Sequence, residues 1–176
     1  MKKVKLYIAI SLDGKIADAE GNVDWLEHIP NPDQNDYGYT DFLQSVDVSI
    51  MGNSTYQQVL SFPIPFPYSD KENYVLTRNN SLEKDENVTF VSSDYKTKIE
   101  ELKKKEGKDI WLIGGGEVNT LLQNLELIDE YLVFVMPIIL GAGVPLFAAH
   151  PNKMDLILAE NKVFESGVVF LHYIKP

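Results

Sequence analysis

The run Asp109-Ile110-Trp111-Leu112-Ile113-Gly114-Gly115-Gly116-Glu117-Val118 constrains the fold more than any other part of the chain. Its first half is a continuous apolar strand and its middle is three consecutive glycines. Val118, Leu121, Leu122 and Leu125 then fall at the i, i+3, i+4 and i+7 spacing of an amphipathic helix. An apolar strand that runs straight into a helix belongs in a parallel, helix-covered sheet. The turn also has a chemical reading. Glycines let a ligand approach the backbone, and the free N–H groups and positive dipole end of the helix attract anions, so the segment is a candidate phosphate cradle. A tight turn without any ligand uses the same residues, since the GxGxxG spacing of dinucleotide motifs is absent.

The rest of the sequence extends this pattern. Val4 to Ile10 reads as a strand buried on both faces, followed by a polar loop from Ser11 to Asp24. Helices are expected over Tyr37 to Ser45, Ser54 to Leu60 and Tyr95 to Lys105. Strands are expected at Val46 to Met51, Asn73 to Thr77 and Val88 to Val91. The last third changes character: Glu130 to Met136, Met154 to Lys162 and Val168 to Ile174 are strands with no helix between them, which predicts an antiparallel hairpin at one sheet edge. The 176 residues, 44% hydrophobic, suffice for one core and read as a single domain over 1–176.

Composition removes several function classes. A net charge of −10 repels polyanions, and no basic stripe with interleaved aromatics offers a nucleic-acid surface. The absence of cysteine rules out disulfides and thiolate chemistry, and His28, His150 and His172 lack metal-ligand spacing, so no metal is expected. Lys2, Lys3 and Lys5 before Leu6 to Leu12 resemble a secretory signal, but Asp13 and Lys15 cut the apolar run short, so a cytoplasmic protein with no membrane partner is expected. Of the 16 basic residues one is arginine, Arg78, at the end of the strand Tyr74-Val75-Leu76-Thr77. A planar guanidinium suits bidentate phosphate binding, with the Thr77 hydroxyl as a further donor; the following Asn79-Asn80-Ser81 also fits a solvated turn.

In parallel sheets ligands bind outside the carboxyl ends of the strands, where Ser11 to Ala17, Gly52 to Thr55, Thr77-Arg78 and Gly114 to Gly116 would collect. Asn53 or Ser54 reads equally as a helix cap. Ile8-Ala9-Ile10-Ser11-Leu12-Asp13-Gly14-Lys15-Ile16-Ala17, Asp24-Trp25, Met51-Gly52-Asn53-Ser54-Thr55-Tyr56, Val75-Leu76-Thr77-Arg78, Ile113 to Val118 and Pro137 to Phe147 together resemble, in order and spacing, the dihydrofolate reductase-like fold. Within it they resemble the reductase domain of bacterial riboflavin-biosynthesis proteins, over nearly the whole chain. The resemblance implies a mostly parallel sheet of about eight strands with helices on both faces and an antiparallel C-terminal hairpin.

The same resemblance implies NADPH as cofactor. Ile113, Gly114, Gly115, Gly116, Glu117 and Val118 would cradle its pyrophosphate, and Gly52, Asn53, Ser54 and Thr55 would line the other side. Thr77 and Arg78 would hold the 2′-phosphate, and the backbone of Ala9 and Ile16 would orient the nicotinamide carboxamide. Asn53 stands where dihydrofolate reductases usually carry arginine. The implied reaction is hydride transfer to a C=N carbon of a small heterocycle, resembling reduction of 5-amino-6-(5-phosphoribosylamino)uracil. Dihydrofolate reduction and a nucleotide-binding protein without turnover are the alternatives. On the substrate side Trp25 is either a wall for a flat ring or a core aromatic, and Asp13 and Asp36 are candidate acceptors or proton routes, with Asp36 better spaced than Asp41 for the pterin-gripping carboxylate. A homodimer is expected, from the resemblance and from the apolar stretches Leu132 to Met136, Leu146-Phe147 and Val168 to Leu171, read as exposed edges.

Overall fold

The computed structural model describes residues 1–176. In chain order it contains β1 (Val4–Ser11), β2 (Lys15–Ala17), a 3-10 turn (Asp24–His28), α1 (Tyr39–Gln44), β3 (Val46–Gly52), α2 (Asn53–Leu60), β4 (Glu72–Leu76) and β5 (Thr89–Val91). α3 (Tyr95–Lys104), β6 (Asp109–Gly114), α4 (Gly116–Asn124), β7 (Glu130–Met136), β8 (Val144–Pro145), β9 (Ile157–Val163) and β10 (Val169–Ile174) follow. Eight strands form one sheet in the order β5-β4-β3-β6-β1-β7-β10-β9, and β2 pairs with β8 in a small second sheet. Pairing is parallel from β5 through β7 and antiparallel from β7 to β10 and from β10 to β9. This is the expected mostly parallel sheet with its antiparallel C-terminal hairpin.

Alternation along each strand sends one set of side chains to each face. Val4 and Leu6 of β1, Val48 and Ile50 of β3, Ile110 and Leu112 of β6 and Tyr131 and Val133 of β7 meet Ile99 and Leu102 of α3 and Val118 and Leu122 of α4. On the other face Phe42 of α1 packs on Val46 and Trp111, and Tyr56 of α2 packs on Met51 and Val75. The helices therefore cover both faces. No helix is long and apolar enough to cross a membrane.

Three expectations are corrected. The loop from Ser11 to Asp24 contains β2, whose partner β8 lies far downstream in the Gly141 to Leu146 stretch, with Lys15 paired to Pro145 and Ala17 to Val144, too far for local pattern to reveal. β9 starts at Ile157, since Met154 lies against the Tyr131 hydroxyl beside α4 and not in the sheet. β10 is not an edge: it is paired on both sides, and the edge is β9, whose every residue is exposed. Leu132 to Met136 and Val168 to Leu171 accordingly lie within the sheet and its core rather than on a free rim.

The amino ends of the parallel strands are held by charge. Lys2 pairs with Asp47, Lys5 with Asp109 at 2.8 Å and Lys103 with Asp129 at 2.6 Å. Burial pushes the Asp109 carboxyl up, but the Lys3 N–H and the Lys5 ammonium outweigh it, leaving Asp109 below the usual carboxylate range. The Ser11 hydroxyl and the Leu140 N–H hold Asp13 down at about 2. Carboxylates depressed on folding stabilise the fold fully above their unfolded value, about 3.9, and that stabilisation is lost as pH falls through their folded values. The urea midpoint is therefore expected to stay level above about pH 5 and to fall steeply below about pH 4. A midpoint indifferent to acid would contradict the assignment.

Candidate active site

β4, β3, β6 and β1 are consecutive neighbours in the sheet and all point the same way, so their carboxyl ends open onto one surface. Thr77 and Arg78 leave β4, Gly52 to Thr55 leave β3, Gly114 to Val118 leave β6, and Ser11 to Lys15 leave β1. Four segments separated by up to a hundred residues are neighbours for this reason alone.

Two helices begin here. Gly52 is the N-cap of α2 and Gly115 that of α4, and neither end receives a side-chain cap, which corrects the capping role weighed for Asn53 and Ser54. A Cβ on Gly52 would lie 3.1 Å from the Val118 side chain, and one on Gly115 would lie 3.1 Å from the Thr55 hydroxyl, so the two amino ends face each other across a narrow gap. Thr55 Oγ1 donates to the Gly114 carbonyl at 3.4 Å. Gly115 has φ +91°, a conformation that favours glycine. The first-turn N–H groups of both helices have no carbonyl within their own helix to bond, and both dipoles present positive ends. Arg78 lies at this gap, 3.3 Å from Glu117 in an exposed ion pair, while Thr77 is buried, its hydroxyl accepting the Asn79 N–H at 3.1 Å. A buried side-chain oxygen of Asn53 has no partner. Ile113 is half-buried at the end of β6.

On the far side, Ala9 of β1 and Ile16 of β2 are half-buried, and β2 lies against β1. Trp25 packs with Phe134, Met136 and Val168 and is 7% exposed, which makes it a core aromatic; its indole N–H is buried without a partner. Asp36 sits in the loop before α1 and accepts the N–H groups of Gly38 at 2.9 Å and Thr40 at 3.1 Å. Those bonds, with the Thr40 hydroxyl first among them, hold its carboxyl below the usual range. Asp36 thus organises the start of α1. Its charge still reaches the Tyr7 hydroxyl, which burial pushes well above its ordinary value and Asp36 pushes further. Asp41 is exposed on α1. Asp13 accepts from the Ser11 hydroxyl at 2.6 Å and from the N–H groups of Leu140 and Gly141 at 3.0 and 2.8 Å. The structure therefore gives Asp13 and Asp36 backbone partners and places Trp25 in the cluster against which Tyr37 and Leu140, the neighbours of the two carboxylates, pack.

Sequence reasoning missed an aromatic wall and a polar helix face. Tyr7 stacks on Phe42 at 4.1 Å and meets Phe134 at 4.8 Å, while Tyr37 meets Phe164 edge-on at 4.9 Å. In α4 the buried side includes Asn119, Thr120 and Gln123: Asn119 donates to the Leu146 carbonyl at 2.8 Å and Thr120 to that of Ala148 at 3.3 Å, while Gln123 accepts from the Tyr131 hydroxyl of β7. The i, i+4 pair Asn119 and Gln123 beside an apolar stripe was the available signal.

The sheet order, the helix amino ends gathered at the strand carboxyl ends and the antiparallel finish define a dihydrofolate reductase-like α/β protein. The family model for the RibD C-terminal domain matches residues 66–170, and the chain belongs to that family. It is 40% identical to protein YwjB of Bacillus subtilis over 99% of this chain and 98% of that protein, and 34% identical to YyaP of the same organism over 98% and 94%. A solved protein of Shewanella sp. PV-4, provisionally named for riboflavin biosynthesis, superposes with a TM-score of 0.86 at 32% identity, covering 100% of this chain and 99% of that one. The diaminohydroxyphosphoribosylaminopyrimidine deaminase/5-amino-6-(5-phosphoribosylamino)uracil reductase of Thermotoga maritima shares the fold, with a TM-score of 0.73 at 17% identity over 99% of this chain and 57% of that one.

Proposed function

We propose that this protein is an NADPH-dependent reductase that transfers hydride to a C=N carbon of a small heterocycle of the pyrimidine or pterin type. The observation that carries the reading is the glycine-lined gap between the amino ends of α2 and α4, with the only arginine of the chain at its rim. Gly114 to Val118 and Gly52 to Thr55 would hold the pyrophosphate through backbone N–H groups at the amino ends of the two helices. Thr77 and Arg78 would hold the 2′-phosphate, and the backbone of Ala9 and Ile16 would fix the carboxamide edge. The bound cofactor supplies the hydride; the chain need only bind, orient and exclude water. The half-buried rings of Tyr7 and Tyr37, backed by the buried Phe134, would keep the substrate side apolar.

A riboflavin-type substrate is favoured over dihydrofolate because neither candidate for a pterin-gripping carboxylate is in place: Asp36 is committed to α1 and Asp41 is exposed. NADPH oxidation measured with ribosylaminopyrimidines, dihydrofolate and oxidised pterins tests the proposal. Turnover with a ribosylaminopyrimidine supports it. Turnover with dihydrofolate alone, blocked by an antifolate, makes the protein a dihydrofolate reductase; tight NADPH binding without turnover of any of them makes it a binding protein.

The proposal includes a cytoplasmic homodimer joined through β9. Leu158 is 47% and Val163 70% exposed on an edge with no covering element. The edge is self-complementary: antiparallel pairing of two copies about Asn161 sets Glu160 of each opposite Lys162 of the other. Glu160→Lys is expected to give a particle of one-chain mass, 19.9 kDa, in light scattering, and the swap Glu160→Lys with Lys162→Glu to restore the dimer. A wild-type mass of one chain at all concentrations overturns the dimer.

A further inference from the structure

The chain leaving β7 turns back over the candidate site, and residues 137–148 form a strap between its two halves. At one end Leu12 N–H donates to the Ile138 carbonyl at 2.7 Å, and Asp13 receives the N–H groups of Leu140 and Gly141. In the middle β8 pairs with β2, Leu146 N–H donates to the Gly14 carbonyl at 2.9 Å, and Gly143 lies so close that a Cβ there would fall 2.3 Å from the Ala17 carbonyl. At the other end the strap is fastened to the cradle helix. Ala148 N–H donates to the Gly116 carbonyl at 3.1 Å, a Cβ on Gly116 would fall 2.4 Å from the Pro145 carbonyl, and the fully buried Asn119 amide holds Leu146. The strap thus contacts both the loop carrying Ile16 and the turn carrying Gly114 to Gly116.

We infer that Asp13 is a positioning residue: its carboxylate latches the strap and thereby sets the nicotinamide side of the site in register with the phosphate cradle. Three internal donors already occupy its oxygens, leaving it little capacity for a substrate or a travelling proton. The latch is strongest as a free carboxylate, because protonation would turn one of its two acceptor oxygens into a donor beside backbone N–H groups that are themselves donors. The inference rests on the NADPH reading, and its effects are specific to one half of the cofactor. Loss of the latch displaces the segment carrying Ile16 but leaves Thr77, Arg78 and the amino end of α4 where they are.

The test uses Asp13→Ala and Asp13→Asn in the full chain. Without ligand, amide exchange at Leu140 and Gly141 should accelerate about tenfold or more in Asp13→Ala while the amides of α4 are unchanged. NADPH binding should weaken about tenfold or more, while adenosine 2′,5′-bisphosphate, which has no nicotinamide, binds within about twofold of wild type. Asp13→Asn keeps one acceptor oxygen and should recover part of both losses; it also serves if the alanine variant does not fold. Equal weakening of both ligands, or unchanged exchange at Leu140 and Gly141, overturns the inference. A wild-type protein that binds neither ligand overturns the NADPH reading instead, and the exchange measurement still reports whether Asp13 holds the strap.

Discussion

Gly115→Val is expected to weaken NADPH binding by more than about a hundredfold while the protein still melts cooperatively. A Cβ at Gly115 would already stand 3.1 Å from the Thr55 hydroxyl, and the two methyl groups beyond it would occupy the gap between the amino ends of α2 and α4. Each charge-assisted hydrogen bond lost there is worth about 1.5–3 kcal/mol, so two suffice for the predicted loss. The valine must also adopt φ near +91°, a strain of about 1–3 kcal/mol that lowers the melting temperature without abolishing the fold, since the nearest neighbour is a side chain and not backbone. Calorimetric titration beside a thermal melt checks both halves. Normal NADPH binding would make the glycines purely structural, and if the valine variant does not fold, Gly115→Ala applies the same test with a smaller group.

Arg78→Ala should weaken NADPH about tenfold or more and leave NADH almost unchanged. The side chain is 88% exposed and its ion pair with Glu117 is a surface one, worth about 0–1 kcal/mol, so its removal should hardly touch stability. The effect is then confined to the ligand that carries a 2′-phosphate. Equal losses for the two cofactors would remove Arg78 from that role.

Element identity was legible where period and length agreed. β7, seven residues of which all but Glu130 are apolar, begins and ends where expected, and β6 with its glycines is read directly from Asp109 to Gly116. Contacts made across long sequence distances were not. Lys15 to Ala17 carry no strand signal of their own and become β2 only because Val144-Pro145 arrives beside them. Val168 to Ile174 looked like an edge because its apolar character does not tell whether another strand lies beyond it; β9, mixed in character and fully exposed, takes that place. Trp25 could not be divided between wall and core without its neighbours, and Asp13 and Asp36 announced a carboxylate but not the backbone donors that claim it. The glycine turns and the strand-end arginine were the more legible half of the candidate site because they act through local backbone geometry, whereas the aromatic cluster of Tyr7, Tyr37, Phe42 and Phe134 is assembled from side chains far apart in the chain.

Titration of the nitrogen-labelled protein with NADPH, followed through its backbone amide resonances, tests the central claim most directly. The largest shifts are expected at Gly52 to Thr55, Thr77 and Arg78, and Gly114 to Val118, with further shifts at Ala9 and Ile16, and quiet amides at the opposite, amino-terminal ends of the strands around Asp47, Lys71 and Gly107. Absence of shifts at saturating NADPH, or shifts centred on Asp47, Lys71 and Gly107, would contradict that claim.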